Sequence, residues 1–338
     1  MKKTYVFGCI IVFFMFVVVG CSKKTQDDIL TSLNDKVTEM KGYKTHGVMT
    51  IYSGEKPQKY HVEVWHKKPE FYRVKLTNDA NDQSQMIIRN KEGVFVLTPA
   101  LNKSFRFQSD WPESNSQVYL YESVIRDLLL DEKRTFKEEQ KNYVFKAKTN
   151  YQNAQFQKQV ITLAPNLSPK KVEVLDIDDK PMMDITFEKF QFDPSFDNNA
   201  FDVERNMTGG HIGIPAVADG KSEATKMFPV LYPVYELEGA TLEEEKEIIT
   251  EDGVQVILTY GGSKGFTLIQ KRSEVQPMMK SVDIMDAEPV DLGIAVGSLT
   301  ENSVSWTYNG VDFFIASDRL TQEEMVLLAQ SVYGKAMK

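Results

Sequence analysis

The chain has 338 residues, of which 42% are hydrophobic and 26% are charged, and its formal net charge is −8 at pH 7. An acidic protein repels phosphate polymers and anionic lipid surfaces, so the composition argues against nucleic acid as a partner. The two cysteines are Cys9 and Cys21. The remainder of the chain therefore has no thiol for a disulfide, a metal site or a nucleophile.

The first 21 residues have the layout of a secretory signal peptide. Lys2 and Lys3 precede an apolar run from Tyr5 to Val19, and Val18-Val19-Gly20-Cys21 closes the segment. These last four residues resemble the lipobox of bacterial lipoproteins, which implies that residues 1–20 are removed and that the Cys21 thiol receives a diacylglyceryl group. The alternative is an uncleaved membrane anchor, but the apolar run is shorter than the roughly 20 residues that span a bilayer core.

Lipid attachment at Cys21 predicts a protein tethered to the extracytoplasmic face of the cell membrane, because two acyl chains hold a protein firmly at a bilayer. Removal of two lysines with residues 1–20 changes the formal charge from −8 to −10. The tether Ser22–Gln26 reaches at most about 18 Å. The protein is therefore expected to act close to the bilayer surface.

Predicted elements follow the tether in a distinctive order. Ile29, Leu30, Leu33, Val37 and Met40 form one stripe of a helical period, which ends before Gly42. From Thr45 the apolar period is two, which favours strands with one buried face. A second helix is predicted over Gln117–Leu130. The predicted strands are Val48–Tyr52, Tyr60–Trp65, Tyr72–Leu76, Gln85–Arg89, Val94–Thr98 and Ser104–Phe107 before that helix, and Tyr143–Lys148, Gln155–Leu163, Lys170–Asp176 and Met182–Phe192 after it.

Three segments in this region carry a family resemblance. They are Val64–Val74, in which Lys68-Pro69 introduces a strand, the predicted hairpin Met86–Pro99, and the closing segment Phe196–Val203. In this order they resemble the LolA and LolB family of lipoprotein carriers, and within it the sporulation lipoproteins of Gram-positive bacteria. The resemblance implies a mainly β fold, an unclosed antiparallel β-barrel with helices lying across its open mouth.

The domain organisation follows from these elements. We predict a signal peptide over residues 1–20, a LolA-like barrel over 21–204, a linker rich in small and polar residues over 205–226, and a small α+β domain over 227–338. The last part resembles a domain that recurs at the C-termini of Gram-positive lipoproteins. Its capping-box pattern, Thr321-Gln322-Glu323-Glu324, predicts a final helix.

No motif indicates catalysis, a metal or another cofactor. His61 and His66 are five apart on a predicted strand and so point to opposite faces. Asp176–Pro181 and Gly261–Gly265 are predicted to be hairpin turns rather than calcium or phosphate loops. The charge run Glu243–Glu247 is predicted to be a solvated helix start or loop. An enzyme acting on cell-wall or lipid substrates stays open as an alternative, without a defensible pair of acids.

Apolar side chains on the predicted strands are the candidates for a ligand cavity. Their ordinary role is core packing, but an unclosed barrel covered only by helices can also use this face for an acyl chain. The inward face is inferred from the stronger apolar strings, and a one-residue register error would invert it. The candidates are Val48, Tyr60, Val62, Val64, Tyr72, Val74, Leu76, Val94 and Val96.

Two functions of different kinds follow. In the first, a membrane-anchored lipoprotein binds a lipid, an acyl chain or a hydrophobic segment of a partner in its barrel and serves sporulation or the spore envelope. In the second, the barrel is filled, and the protein is a regulatory or scaffolding lipoprotein that binds an envelope protein through its C-terminal domain. Both are binding functions, and we predict that the protein is not an enzyme.

Overall fold

A computed structural model describes the chain from Lys24 to Gly334, with gaps. The residues outside the description are 1–23, 53–55, 110, 113–115, 152–154, 211–227, 251–252, 277, 285, 294 and 335–338. Cys21 lies outside the described residues. Within the part that is described, no helix is long and apolar enough to cross a membrane.

The barrel region contains two helices that belong to its covering. Helix α1 (Gln26–Glu39) begins with a capping box, in which the Thr25 hydroxyl accepts from the Asp28 amide and the Asp28 carboxylate accepts from the Thr25 amide. The predicted stripe buries Ile29, Leu30 and Leu33. Helix α2 (Tyr121–Leu130) starts four residues later than predicted.

Eleven described strands of the barrel region form most of one sheet, the barrel sheet. They are β1 (Gly42–Ile51), β2 (Gln58–Lys67), β3 (Phe71–Asn78), β4 (Ser84–Asn90), β5 (Gly93–Thr98), β6 (Lys103–Phe107), β7 (Thr135–Glu139), β8 (Asn142–Lys148), β9 (Lys158–Leu163), β10 (Pro169–Leu175) and β11 (Pro181–Phe192). The strands pair antiparallel in the order β6-β5-β4-β3-β2-β1-β11-β10-β9-β8-β7. Because β6 and β7 do not pair with each other, the predicted unclosed barrel is confirmed.

The rest of the described chain forms a second sheet and adds one strand to the first. Its elements are α3 (Val203–Gly210), β12 (Tyr232–Pro233), β13 (Thr241–Thr250), β14 (Gly253–Gly261), β15 (Phe266–Arg272), β16 (Lys280–Ile284), β17 (Glu288–Asp291), β18 (Val296–Leu299), β19 (Ser303–Tyr308), β20 (Val311–Ala316), α4 (Gln322–Gln330) and β21 (Val332–Gly334). The C-terminal sheet has the order β13-β14-β15-β20-β19-β18-β17, and β12 pairs with β21. Strand β16 leaves this sheet and pairs parallel with β6.

Two predictions about local structure were wrong. Residues 205–210 belong to α3 rather than to a linker, and Met207 of this helix is buried against the outer face of the barrel sheet. The charge run Glu243–Glu247 is part of β13, because pairing with β14 fixes an extended backbone that the exposed side chains do not indicate. The predicted capping box at Thr321 is confirmed at the start of α4, and both predicted hairpin turns lie between paired strands.

The covered inner face of the barrel sheet

One face of the barrel sheet, here called the inner face, holds eight of the nine predicted cavity residues. Cross-strand pairs join Tyr60 to Asn78, Val62 to Leu76 and Val64 to Val74. Val96 pairs with Ile87, which in turn pairs with Val74. The eight residues on this face are at most 8% exposed; they are Tyr60, Val62, Val64, Tyr72, Val74, Leu76, Val94 and Val96.

The ninth candidate, Val48, lies on the opposite face, and its assignment was wrong. Val48 pairs with the exposed His61, whereas the neighbouring Met49 pairs with Tyr60 on the inner face. The inward residues of β1 include Thr45 and Gly47, which are not apolar, so the strand shows no strong apolar alternation. A one-residue error in parity moved the candidate to the wrong side of the sheet.

Further inner-face residues were not among the candidates. Ile87 and Phe107 lie on β4 and β6; the others come from β1 and from the second half of the sheet, where the alternation is interrupted by polar residues such as Thr45 and Gln159. The buried members are Tyr43, Met49, Ile51, Ile87, Phe107, Phe145, Ile161, Val172, Val174 and Ile185.

Helix α2 is fastened to one end of the inner face by a polar cluster around Glu122. The Tyr43 hydroxyl donates to Glu122 Oε2 at 3.0 Å, and His66 Nε2 lies 2.8 Å from Glu122 Oε1. His66 Nδ1 lies 3.1 Å from the carbonyl oxygen of Phe71, and the His66 ring stacks on Tyr72 at 4.2 Å. Buried polar groups that are paired in this way hold one specific arrangement of neighbouring elements.

The C-terminal sheet covers the other end of the inner face through paired polar contacts. The Gln85 amide donates to the carbonyl of Val296 at 3.2 Å, while its oxygen accepts from the Val296 amide at 2.6 Å. Lys103 Nζ lies 2.7 Å from Asp312 Oδ2. The Tyr308 hydroxyl donates to Gln58 at 2.6 Å. The two regions therefore share a single hydrophobic core among the described residues.

Among the described residues, two small cavities between the barrel sheet and the C-terminal sheet border predicted cavity residues, whereas a larger one of about 330 Å³, lined by Gln58, Arg272 and Phe313, borders none of them. Of the two small cavities, one has a volume of about 60 Å³ and borders Tyr60 and Leu76, and the other has a volume of about 120 Å³ and borders Val96 and Trp306. Ligand pockets typically have volumes of about 300–1,000 Å³. In this arrangement the predicted cavity residues pack as protein core.

Asp291 is a titratable group at the junction of the two regions. Its carboxylate accepts from the Tyr119 hydroxyl of the barrel region at 3.1 Å and from the Gly293 amide at 2.7 Å. Burial raises the pKa of Asp291, and these two hydrogen bonds oppose the rise. The neutral carboxyl group is therefore favoured more strongly in the folded protein than in the unfolded chain.

Asp291 is expected to make stability depend on pH. Because the folded-state pKa is raised, its contribution is fully present below about pH 4 and is lost as the pH rises through the folded-state value. Asp291→Asn cannot ionise, so this variant should gain stability relative to the wild type between pH 4 and pH 7. Urea denaturation across that range measures the difference, with Asp318→Asn, at a side chain that is 91% exposed, as the control. A difference that stays constant with pH would contradict this assignment.

The three described histidines do not assemble a metal site. His61 is exposed and lies 3.0 Å from Asp79, whereas His66 is buried on the other face, as predicted. His46 lies 3.0 Å from Glu63, and His211 is outside the described residues. Among the residues that the structure describes, no three His, Cys, Asp or Glu side chains are grouped to hold a metal ion.

Several solved structures resemble the chain. The Pseudomonas aeruginosa MucA/MucB complex matches 91% of this chain and 100% of the solved chain, with 11% identity and a TM-score of 0.33. A structure of the CwlD amidase from Clostridioides difficile in complex with the GerS lipoprotein matches 50% and 96%, with 17% identity and a TM-score of 0.31. A LolA superfamily protein from Nitrosomonas europaea matches 54% and 100%, with 11% identity and a TM-score of 0.31.

The amino-acid sequence itself has a much nearer relative. The chain is 45% identical over 326 residues to the sporulation protein YdcC of Bacillus subtilis (strain 168), a match that covers 96% of this chain and 95% of the relative. The family model described as sporulation protein YdcC-like matches residues 1–201. The family resemblance predicted from the sequence is thus confirmed, and the chain belongs to the YdcC-like family of sporulation proteins.

Proposed function

We propose that this protein is a lipid-anchored scaffold that binds an envelope protein at the extracytoplasmic face of the cell membrane during sporulation. The observation that carries the proposal is the covered inner face, where α2 and the C-terminal sheet occupy the space that a ligand would need. The Bacillus subtilis relative supports the role in sporulation by its name. The lipobox-like sequence ending at Cys21 supports the anchor.

Binding of an acyl chain in the barrel is the other function predicted from the sequence. It would require α2 or the C-terminal sheet to move away from the inner face. Movement of α2 breaks the contacts of Glu122 with His66 and Tyr43. Movement of the C-terminal sheet breaks the two hydrogen bonds between Gln85 and Val296. Opening would leave these buried polar groups unpaired, which costs free energy. The closed arrangement therefore supports the scaffold function over acyl-chain binding.

A disulfide across β6 and β16 tests whether function needs the C-terminal region to move away from the barrel sheet. The Ser104 and Ser281 hydroxyl oxygens lie 3.1 Å apart on directly paired residues, a spacing compatible with a disulfide after Ser104→Cys and Ser281→Cys. The disulfide-linked double variant, here called the locked chain, should restore heat-resistant spores and germination to a strain lacking the gene. It should do so as well as each single-cysteine variant. If the locked chain fails to restore spores while both single-cysteine variants succeed, and a reductant rescues it, the result would favour a barrel that opens. Normal spores in the strain lacking the gene would contradict the role in sporulation.

The anchor has its own test, because the chain offers a matched pair of cysteines. Cells are fed an alkyne fatty acid, and the label on the immunoprecipitated protein is measured. Cys21→Ser should lose the label, whereas Cys9→Ser should keep it, because Cys9 lies in the segment that the lipobox pattern predicts to be removed. Equal labelling of both variants would contradict attachment at Cys21.

A further inference from the structure

Strand β13 forms one edge of the C-terminal sheet. It pairs along one side with β14 over Thr241–Thr250, and no other described strand pairs along its second side. An edge strand of this kind presents unpaired N–H and C=O groups at alternate residues, which is a template for the backbone of another chain.

Both faces of β13 are open to solvent. In the described strand only Ile248 is partly buried, and Ile249 and Leu242 are 78% and 44% exposed. The register places Glu247 opposite the buried Val256, and Glu245 opposite the buried Leu258. Glu244 and Lys246 lie on the opposite face, so β13 carries charged side chains on both of its faces.

The charge of this edge selects among possible partners. Residues 241–250 contain four glutamates and one lysine, a net charge of −3, and Glu236 and Glu238 lie just before the strand. A second copy of the same edge would place like charges side by side, which opposes self-pairing. A strand rich in lysine or arginine meets opposite charge at Glu243, Glu244, Glu245 and Glu247.

A groove adjoins the start of β13 on the side that faces the core. It has a volume of about 470 Å³, and its floor includes Tyr260, Phe266 and Leu328. The Tyr260 and Phe266 rings stack at 4.2 Å, and Glu236 and Glu238 are exposed at its rim. The groove offers a place for one apolar side chain of a chain that lies along β13.

We propose that β13 binds an extended basic segment of an envelope protein as an added strand, with an apolar side chain of that segment in the Tyr260 groove. This inference rests on the proposed scaffold function and names the surface and the chemistry of the partner. The unpaired backbone groups of β13 hydrogen-bond to the segment, the glutamates attract its basic side chains, and the groove holds its apolar side chain.

The test uses the full-length protein in detergent and a fluorescent peptide of five Lys-Val repeats. Glu244→Lys with Glu247→Lys changes the charge of the edge without touching Glu245, which accepts a hydrogen bond from Tyr232. Glu132→Lys with Glu138→Lys is the matched control, because it makes the same change in net charge at exposed positions in and beside β7. The β13 variant should weaken binding at least tenfold and the control less than twofold. Equal weakening by both would overturn the proposal.

Hydrogen exchange separates an added strand from simple charge attraction. On binding of the peptide, alternate amides within 241–250 should exchange more slowly, since only strand pairing engages the outward N–H groups. Binding without this protection would overturn the added strand. If peptide binding fails while the locked chain still restores sporulation, the β13 inference is wrong and the scaffold function stands.

Discussion

Phe313→Ala is expected to lower the free energy of unfolding by about 3–5 kcal/mol, whereas Phe314→Ala should lower it by less than about 1 kcal/mol. The two phenylalanines are adjacent on β20 and point to opposite sides. Phe313 is 2% exposed and stacks on Trp306 with ring centroids 5.0 Å apart, whereas Phe314 is 40% exposed. Phe313 also borders the cavity shared with Val96 and Phe105 of the barrel sheet.

Urea denaturation followed by circular dichroism and tryptophan fluorescence measures both variants. Because the two sheets share one core, Phe313→Ala should shift the signals of both regions together. A loss of stability confined to the C-terminal sheet, with the barrel signal unchanged, would contradict a shared core. Equal losses for the two variants would contradict the burial of Phe313.

Glu122→Ala is expected to lower the free energy of unfolding by about 2–3 kcal/mol, because it removes the partly buried carboxylate that accepts from the Tyr43 hydroxyl and lies 2.8 Å from the His66 ring. The exposed Glu138→Ala on β7 is the control and should change stability by less than about 0.5 kcal/mol.

A double-mutant cycle with His66→Phe isolates the contact itself. If Glu122 and His66 act as a pair, the double variant should lose less stability than the sum of the single variants. Additive losses would show that the two residues contribute independently. In that case the cluster would not be what fastens α2 to the inner face.

The inward-facing residues of the barrel sheet could be predicted where the alternation within a single strand indicates them. In the centres of β2 and β3 apolar and polar residues alternate and set the inward parity, and Val62, Val64, Val74 and Leu76 all lie where that pattern places them. Strand β1 lacks the signal, because Thr45 and Gly47 occupy inward positions. Val48 was misassigned for this reason.

Other elements depend on partners that are distant in sequence. Strand β13 carries charges on both faces and is extended because β14 pairs with it. Strand β7 was missed for the same reason, since it is an exposed edge that pairs with β8. The contact between Gln85 and Val296 joins residues 211 positions apart, and no periodicity predicts it. The covering of the inner face, on which the proposed function rests, therefore could not be predicted from the sequence.

The covered inner face also links the two proposals. If the barrel is filled by its own core, its inner side is not available to a partner, and binding must use surfaces that remain open. The outer edge of β13 is such a surface. The lipid anchor proposed at Cys21 would hold that surface at the membrane, where an envelope protein would meet it.

Native mass spectrometry of the protein extracted from membranes tests the filled barrel most directly. The expected result is the mass of the chain from Cys21 with its covalent acyl chains and no further lipid, together with no uptake of a lipophilic dye. A stoichiometric non-covalent lipid that is lost on Val64→Glu but retained on Val48→Glu, on the opposite face of the sheet, would contradict it. That result would show that the inner face holds a ligand.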